Sequence, residues 1–427
     1  MEDVAHWQGI QRARLGAELK WAERAPFFAR RIRAAASSAP SDVQNPLHVL
    51  SAIPAFRKAD AIEAGDEMCI PGVTAVREFL TSGTTGRGQE RLRLSVVDDR
   101  TLLFGHVLQY QMAGLRSGDG VGLTWPAGCQ AGGVVLRAAA ELLGLHPVEL
   151  GAYDTAVKLD MLRKIRPRAI VGSALYLRRL LEAAGRNDLG LDTCFIAGEA
   201  YPESWLQYMA GHGISVFEWY GTTMLGPVAM SCESGVIDGG GRGALHVPPH
   251  MFVAEVLDAS GQQVAEGERG ELVVTALTRV AQPTIRYATG DLVRWLGWHR
   301  CTCGRQWPSL EAGTIARLDD MLRIRGVNIW PSAIEAELFA HPDVCDYRGH
   351  LWVDQSGQER VDVTVELRPL PADPAAEIRH FQDALKVRTG CTFGVTLTSD
   401  QPEVRAFKPR RWTDDRFVGQ GSPRGRT

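Results

Sequence analysis

Between residues 76 and 198 the apolar positions switch repeatedly between two spacings. RLRLSVV (91–97), GVGLTWP (120–126), HPVEL (146–150), RAIVGS (168–173) and DTCFIAG (192–198) are short apolar runs, most of them rich in branched residues, which predicts strands. VVLRAAAELLGL (134–145), KLDMLRKI (158–165) and LYLRRLLEAAG (175–185) repeat apolar residues every three or four positions, which predicts helices. Strands separated by helices of this length need crossover connections, so the pattern predicts an α/β fold with parallel βαβ units.

Outside this stretch the texture differs. Leu15, Leu19, Trp21, Ala25, Phe28 and Ile32 have helical spacing within 8–36, and 37–45 reads as a loop. From 245 to 300, AEVLDASGQQVAEGERGELVVTAL holds two strand runs with a turn at Ala259-Ser260-Gly261, which predicts a smaller antiparallel β region. A short strand and a helix follow in 319–344, then a strand at DVTVELRP (362–369) and a helix at AAEIRHFQDALKVR (375–388). The terminal VGQGSPRGRT reads as a disordered tail.

Composition narrows the partners. Of 427 residues, 45% are hydrophobic and 23% charged, ordinary proportions for a chain that builds a normal core. A formal net charge of −3 exerts no global pull on nucleic acid or an anionic membrane, and the short clusters Arg30, Arg31, Arg33 and Arg410, Arg411 read as solvated faces. The opening MEDVAHWQGIQRARLG lacks the apolar segment of a secretory signal, and no stretch of about 18 apolar residues occurs. Eight scattered cysteines do not read as a disulfide framework. The expectation is a cytoplasmic protein that acts on a small molecule, with no nucleic-acid and no membrane partner.

The candidate chemistry lies in the loops. Thr81-Ser82-Gly83-Thr84-Thr85-Gly86-Arg87-Gly88 combines three glycines, four hydroxyl residues and a base in eight positions. Glycines let backbone N–H groups approach a polyphosphate, hydroxyls add donors, and the Arg neutralises charge. The spacing is not that of a Walker loop. Further polar turns follow: Glu218-Trp219-Tyr220-Gly221-Thr222-Thr223-Met224, Tyr287-Ala288-Thr289-Gly290-Asp291-Leu292, Ala316-Arg317-Leu318-Asp319-Asp320, Arg325-Gly326-Val327-Asn328-Ile329 and Phe407-Lys408-Pro409-Arg410-Arg411.

Together with AGEAYPES (197–204), these segments resemble, in order, the motif set of the acyl-adenylating (AMP-binding) superfamily, and within it the phenylacetate–CoA ligase-like branch. The resemblance covers nearly the whole chain. It implies a large N-terminal domain (1–318) with mixed and parallel sheets and a small β region. It also implies a small mobile α+β C-terminal domain (319–427), hinged near Asp319, with a disordered tail from about 416.

By resemblance, Thr81, Ser82, Gly83, Thr84, Thr85 and Gly86 hold the ATP phosphates. Gly198 and Glu199 line the adenine pocket, Tyr220 and Gly221 pack against the base, and Thr223 sits near the α-phosphate. Asp291 accepts the ribose hydroxyls, Arg317 binds ribose or phosphate, and Lys408 bridges the acid and the α-phosphate. Tyr110, Trp125, Ala197 and Trp219 are the implied acid pocket, whose aromatic residues suit an aryl acid.

The chain departs from the family at Met224, where Glu is usual and helps to bind Mg²⁺; a thioether is a poor ligand for that ion. Cys301-x-Cys303 forms a tight knuckle. With Cys232 and His246 it resembles a structural zinc site of some members of the branch, with His250 and His299 as competing ligands.

The implied function is ATP-dependent activation of an aryl acid to an acyl-adenylate, then transfer to a thiol, coenzyme A being the expected acceptor. The implied cofactors are ATP, Mg²⁺, coenzyme A and structural Zn²⁺. The rival readings are a carrier-protein-loading or amide-forming enzyme with an amine acceptor, and a repurposed member that has lost adenylation at Met224. The resemblance also admits a homodimer.

Overall fold

The computed structural model describes residues 4–38, 45–80, 89–125, 131–151, 153–185, 189–197, 201, 203–238, 241–318, 321–324, 327–355, 357–400 and 411–416. The helices are α1 (Val4–Ala22), α2 (Pro26–Ser38), α3 (Pro46–Ala52), α4 (Lys58–Ala64), α5 (Val96–Met112), α6 (Ala131–Leu143), α7 (Thr155–Ile165), α8 (Ala174–Ala184), α9 (Glu203–Gly211), α10 (Pro331–Leu338) and α11 (Pro374–Thr389). The strands begin with β1 (Arg77–Leu80), β2 (Arg91–Leu94), β3 (Gly120–Leu123), β4 (His146–Glu149), β5 (Ala169–Gly172), β6 (Thr193–Ile196), β7 (Ser215–Thr222) and β8 (Gly226–Ser231). They continue with β9 (Ile237–Asp238), β10 (Gly241–Arg242), β11 (Ala244–His246), β12 (Phe252–Leu257), β13 (Arg269–Ala276), β14 (Tyr287–Arg300) and β15 (Gln306–Glu311). The last are β16 (Ala316–Arg317), β17 (Leu322–Ile324), β18 (Val327–Ile329), β19 (Val344–Val353), β20 (Glu359–Leu367), β21 (Gly394–Thr398) and β22 (Trp412–Asp414).

The chain divides into two compact units. The first comprises Met1–Gly172, Asn187–Ala197 and Ser215–Ile315. Its main sheet runs β12-β13-β14-β15-β11-β8-β7-β6-β5-β3-β4. From β4 to β7 the neighbours are parallel, as the alternation of strands and helices requires. From β7 onward every neighbour is antiparallel. The antiparallel β region expected near 245–300 is therefore not a separate small sheet. It continues the parallel one across β7, which pairs with β6 on one edge and β8 on the other.

Two local expectations are corrected. The run 91–97 is a strand only to Leu94; Ser95 caps α5 by accepting from the Asp98 N–H at 3.3 Å, while the Asp98 carboxylate accepts from the Ser95 N–H at 2.8 Å. This reciprocal cap satisfies two N–H groups and turns Val96 and Val97 into the first helical turn. The helical stretch 8–36 is two helices, because α2 restarts at Pro26, whose missing N–H is harmless in a first turn.

The second unit comprises Ser173–Arg186, Gly198–Ile214 and Ala316–Thr427. A sheet in the order β21-β20-β19-β22 packs with α10 and α11 around Ile334, Leu338, Tyr347, Val363, Phe381 and Leu385. Buried Asp346 and Glu366 are both met by Arg179 of α8 at 3.3 Å. Arg411 adds a 2.9 Å contact to Asp346, and Arg368 adds one to Glu366. This unit thus joins α8 to the C-terminal residues, with its boundary in the late chain at Ile315/Ala316. Among the described residues, no helix is long and apolar enough to cross a membrane.

Candidate functional site

Strand β7 carries Trp219 and Tyr220 next to each other, so their side chains leave opposite faces of the sheet. The Tyr220 hydroxyl donates to the Asp291 carboxylate at 2.5 Å, joining two motifs that lie 71 positions apart. Both residues are buried, and burial, followed by the adjacent Asp291 charge, pushes the phenol well above its ordinary pKa. Asp291 is fixed locally: its own N–H donates to the Thr289 hydroxyl at 3.1 Å, and that hydroxyl donates to the Leu272 carbonyl at 2.9 Å. Upstream, Arg286 anchors β14 with paired 3.0 Å contacts to Glu255 and donates to the carbonyls of Ser51 and Ile53.

After Tyr220 the chain must approach β8 closely. A Cβ on Gly221 would lie 2.4 Å from the Gly226 carbonyl oxygen, so only glycine fits there. In the following turn the Thr222 hydroxyl accepts from the Leu225 N–H at 3.2 Å, and Thr223 is half-buried. Arg279, itself buried, clamps the turn by donating to the carbonyls of Met224 and Leu225 at 3.2 and 2.7 Å. The Met224 side chain is fully buried, with its sulfur 3.6 Å from Gln282 Nε2. Beneath the clamp lie Glu18 and Asp98. Asp98 accepts from the Ser95 N–H and hydroxyl and from the N–H groups of Val280 and Ala281. Burial pushes the Glu18 carboxyl up to about 8, and the Asp98 charge adds to the rise against the pull of Arg279.

On the other face of β7, Trp219 meets Trp125, with ring centroids 5.7 Å apart. Trp125 follows the end of β3, and Ala197 follows the end of β6, which runs beside β7 with Ile196 opposite Glu218. Trp125, Ala197 and Trp219 therefore gather at the carboxyl ends of parallel strands, where open α/β sheets take their ligands. Tyr110 lies deeper: it is fully buried, packs on Phe195 at 5.3 Å and donates its hydroxyl to the Leu136 carbonyl at 3.2 Å.

Two residues of this lining escaped the sequence reading. His106 of α5 stands edge-on to Trp219 at 5.0 Å, and its Nδ1 lies 3.2 Å from Gln109 Oε1. Burial pushes the imidazole down to about 4, so it is neutral at physiological pH. The only signal for them in LFGHVLQYQM is a His and a Gln among apolar helix positions.

A second cluster sits at the far side of β8. Cys232 follows β8, His246 ends β11, and Cys301 and Cys303 occupy the knuckle between β14 and β15. Their ligand atoms all lie within 4.8 Å of one another. Cys232 and Cys301 are 3.6 Å apart at sulfur, and Cys303 is 3.7 Å from His246 Nε2. A tetrahedral ion with bonds of about 2.3 Å to sulfur has ligand–ligand edges near ~3.8 Å, so the set fits zinc. His246 Nδ1 contacts the Ser309 hydroxyl at 3.0 Å, which orients the ring toward the thiols. The knuckle turns at Gly304 (φ +86°) and is tied by Arg305 to Glu233 at 2.7 and 3.1 Å. The hydrogen bond with Cys232 is the largest influence holding the Cys301 thiol far below its ordinary pKa. His250 is directed instead toward Trp7 and Trp307, and the His299 side chain is not among those described.

No protein-family model matches the sequence. Among curated proteins, the chain is 28% identical to a phenylacetate-coenzyme A ligase of Thermus thermophilus over 92% of each chain. It is 30% identical to that of Escherichia coli over 86% of this chain and 83% of the relative. The chain belongs to the phenylacetate–CoA ligase-like branch of the acyl-adenylating superfamily. Among solved structures, a 2-hydroxyisobutyryl-CoA ligase in the postadenylation state, in complex with R3-HIB-AMP, superposes with a TM-score of 0.84 at 25% identity, covering 98% of this chain and 91% of the other.

Several of the positions expected from the sequence, Thr81 to Gly88, Gly198, Glu199, Asp319, Asp320, Arg325, Gly326 and Lys408, lie outside the described residues. Arg317 is on β16 in the second unit.

Proposed function

We propose that the chain is an AMP-forming acid–thiol ligase that activates an aryl carboxylic acid. The observation that carries this reading is the buried 2.5 Å contact between Tyr220 and Asp291. It brings the aromatic-glycine motif and the ribose motif to one point, where a nucleotide would find a flat ring and a carboxylate able to accept two hydroxyls. The acid carboxylate attacks the α-phosphorus of ATP, and pyrophosphate leaves. A thiol then attacks the acyl carbon, and AMP leaves.

Lys408 and Thr223 balance charge at the α-phosphate, and Arg317 holds ribose or phosphate. Thr81 to Gly86 cradle the departing phosphates, and Gly198, Glu199 and Gly221 close around the base. The aromatic lining of Trp125 and Trp219 favours an aryl acid. Coenzyme A is the acceptor. Mg²⁺ would supply charge neutralisation at the phosphates; the buried Met224 offers it no oxygen, so phosphate oxygens and water would have to take that place. Cys232, His246, Cys301 and Cys303 would hold a structural zinc ion, which would staple the antiparallel part of the sheet.

The test is acid-dependent ATP–pyrophosphate exchange over benzoic, hydroxybenzoic, aminobenzoic and phenylacetic acids. Exchange is expected with at least one acid, and Lys408→Ala should lower it by roughly 10³-fold or more. Folded protein that exchanges with none of them would favour the repurposed reading, for which the buried Met224 sulfur is the specific support. Thioester formation with coenzyme A, without thioester on a carrier protein or amide with an amine, fixes the acceptor.

A further inference from the structure

Two buried N–H donors on the acid-facing side of β7 have no acceptor. Gln109 Nε2 and Trp219 Nε1 are unpaired among the described residues, although Gln109 is 2% exposed and Trp219 8%. Buried donors are rarely left this way, because each forfeits its bond to water. The two flank one ring: His106 lies 3.2 Å from Gln109 Oε1 and 5.0 Å, edge-on, from Trp219. An amide oxygen only accepts, so the His106 proton sits on Nδ1 and the lone pair is on Nε2. Trp125 closes the group against Trp219.

We propose that Gln109, Trp219 and His106 form a hydrogen-bonding specificity pocket, and that the acid this ligase activates carries a ring hydroxyl. This rests on the proposed adenylation of an aryl acid. A hydroxyl is both acceptor and donor. Its oxygen answers the unpaired N–H groups, and its proton answers a neutral imidazole nitrogen. Burial holds His106 neutral, so the imidazole stays an acceptor across the physiological range. An acid with a methyl group in the same place fills the volume but leaves both donors unsatisfied. A site built in this way rejects the apolar isostere far more strongly than an apolar pocket rejects a size difference.

The experiment compares hydroxy- and methyl-substituted benzoic and phenylacetic acids, matched at each ring position. It reads pyrophosphate-exchange kcat/KM and, separately, acid binding by quenching of tryptophan fluorescence. Wild type should favour the hydroxy acid of one matched pair by about 10²-fold or more. Gln109→Leu should cut that preference by about 10-fold or more through loss of the hydroxy acid, with the KM for ATP unmoved. Trp219→Phe, which removes the N–H together with one of the two fused rings, should cut it in the same direction and covers the case in which Gln109→Leu does not fold. Equal use of each pair by wild type, or a loss in Gln109→Leu that falls equally on both members, overturns the proposal. Binding preference without exchange would leave the pocket assigned and refute the adenylation reading; exchange without preference would do the reverse.

Discussion

The two clusters flanking β7 and β8 differ in how their polar atoms are satisfied. In the Cys232–His246–Cys301–Cys303 cluster the ligand atoms face one another and the imidazole is oriented by Ser309. In the His106–Gln109–Trp219 cluster two donors, Gln109 Nε2 and Trp219 Nε1, face no acceptor among the described residues. Both are buried and both contain an imidazole, so burial and residue type do not separate them. The difference teaches that a self-complementary set is suited to a small ion, whereas a set with unmatched donors is suited to a molecule from outside.

The largest effect expected from this contrast is at the closed cluster. Cys301→Ser should remove zinc, measured as metal per chain. It should also cost several kcal/mol of stability, on the order of the coupling between metal binding and folding in small structural sites. A variant that kept its zinc and its melting temperature would break the comparison.

The buried Glu18–Asp98–Arg279 group should give the next largest. It holds two carboxylates against one guanidinium and is intermediate between the two clusters. The folded pKa of Glu18 is raised from 4.5 to about 8, so its contribution is complete below 4.5 and is lost as pH rises through 8. That loss is up to about 5 kcal/mol, and Glu18→Gln should flatten it, as read from denaturant midpoints between pH 5 and 8.5. An unchanged pH slope in the variant would clear Glu18 of the effect.

Ser309→Ala tests the closure itself and should weaken zinc binding by about 10-fold in a chelator competition, with little effect on acid preference. The smallest effect sharpens the contrast from the open side. Gln109→Leu removes an unpaired buried donor but also the acceptor of the His106 Nδ1–H, so the two effects oppose and the ligand-free protein should change in stability by no more than about 1 kcal/mol. A clear drop in melting temperature would mean that Gln109 belongs to a closed network after all.

The two clusters were not equally legible in the sequence. Cys301-x-Cys303 is visible as a local knuckle, but its partners are set by the pairing of β11 with both β15 and β8, a long-range register that no spacing states. Resemblance supplied Cys232 and His246. His106 and Gln109 left almost no trace, since a polar residue on an apolar helix face becomes informative only when a distant Trp219 is packed against it. The parallel half of the sheet was readable from its alternating periods. The continuity of that sheet into the antiparallel half was not, because β7 was read as a motif rather than as a strand. Ser95 likewise hid a helix start inside what looked like one apolar run.

Strand β7 places a tryptophan on one face and a tyrosine on the other at consecutive positions. This arrangement makes it a partition wall between two environments, Trp125 and His106 on one side and Asp291 on the other. Under the proposed function, substitutions on the tryptophan side would change which acid is admitted while the Tyr220–Asp291 contact keeps its geometry. On that reading the choice of acid and the hold on the nucleotide are separable tasks of one strand.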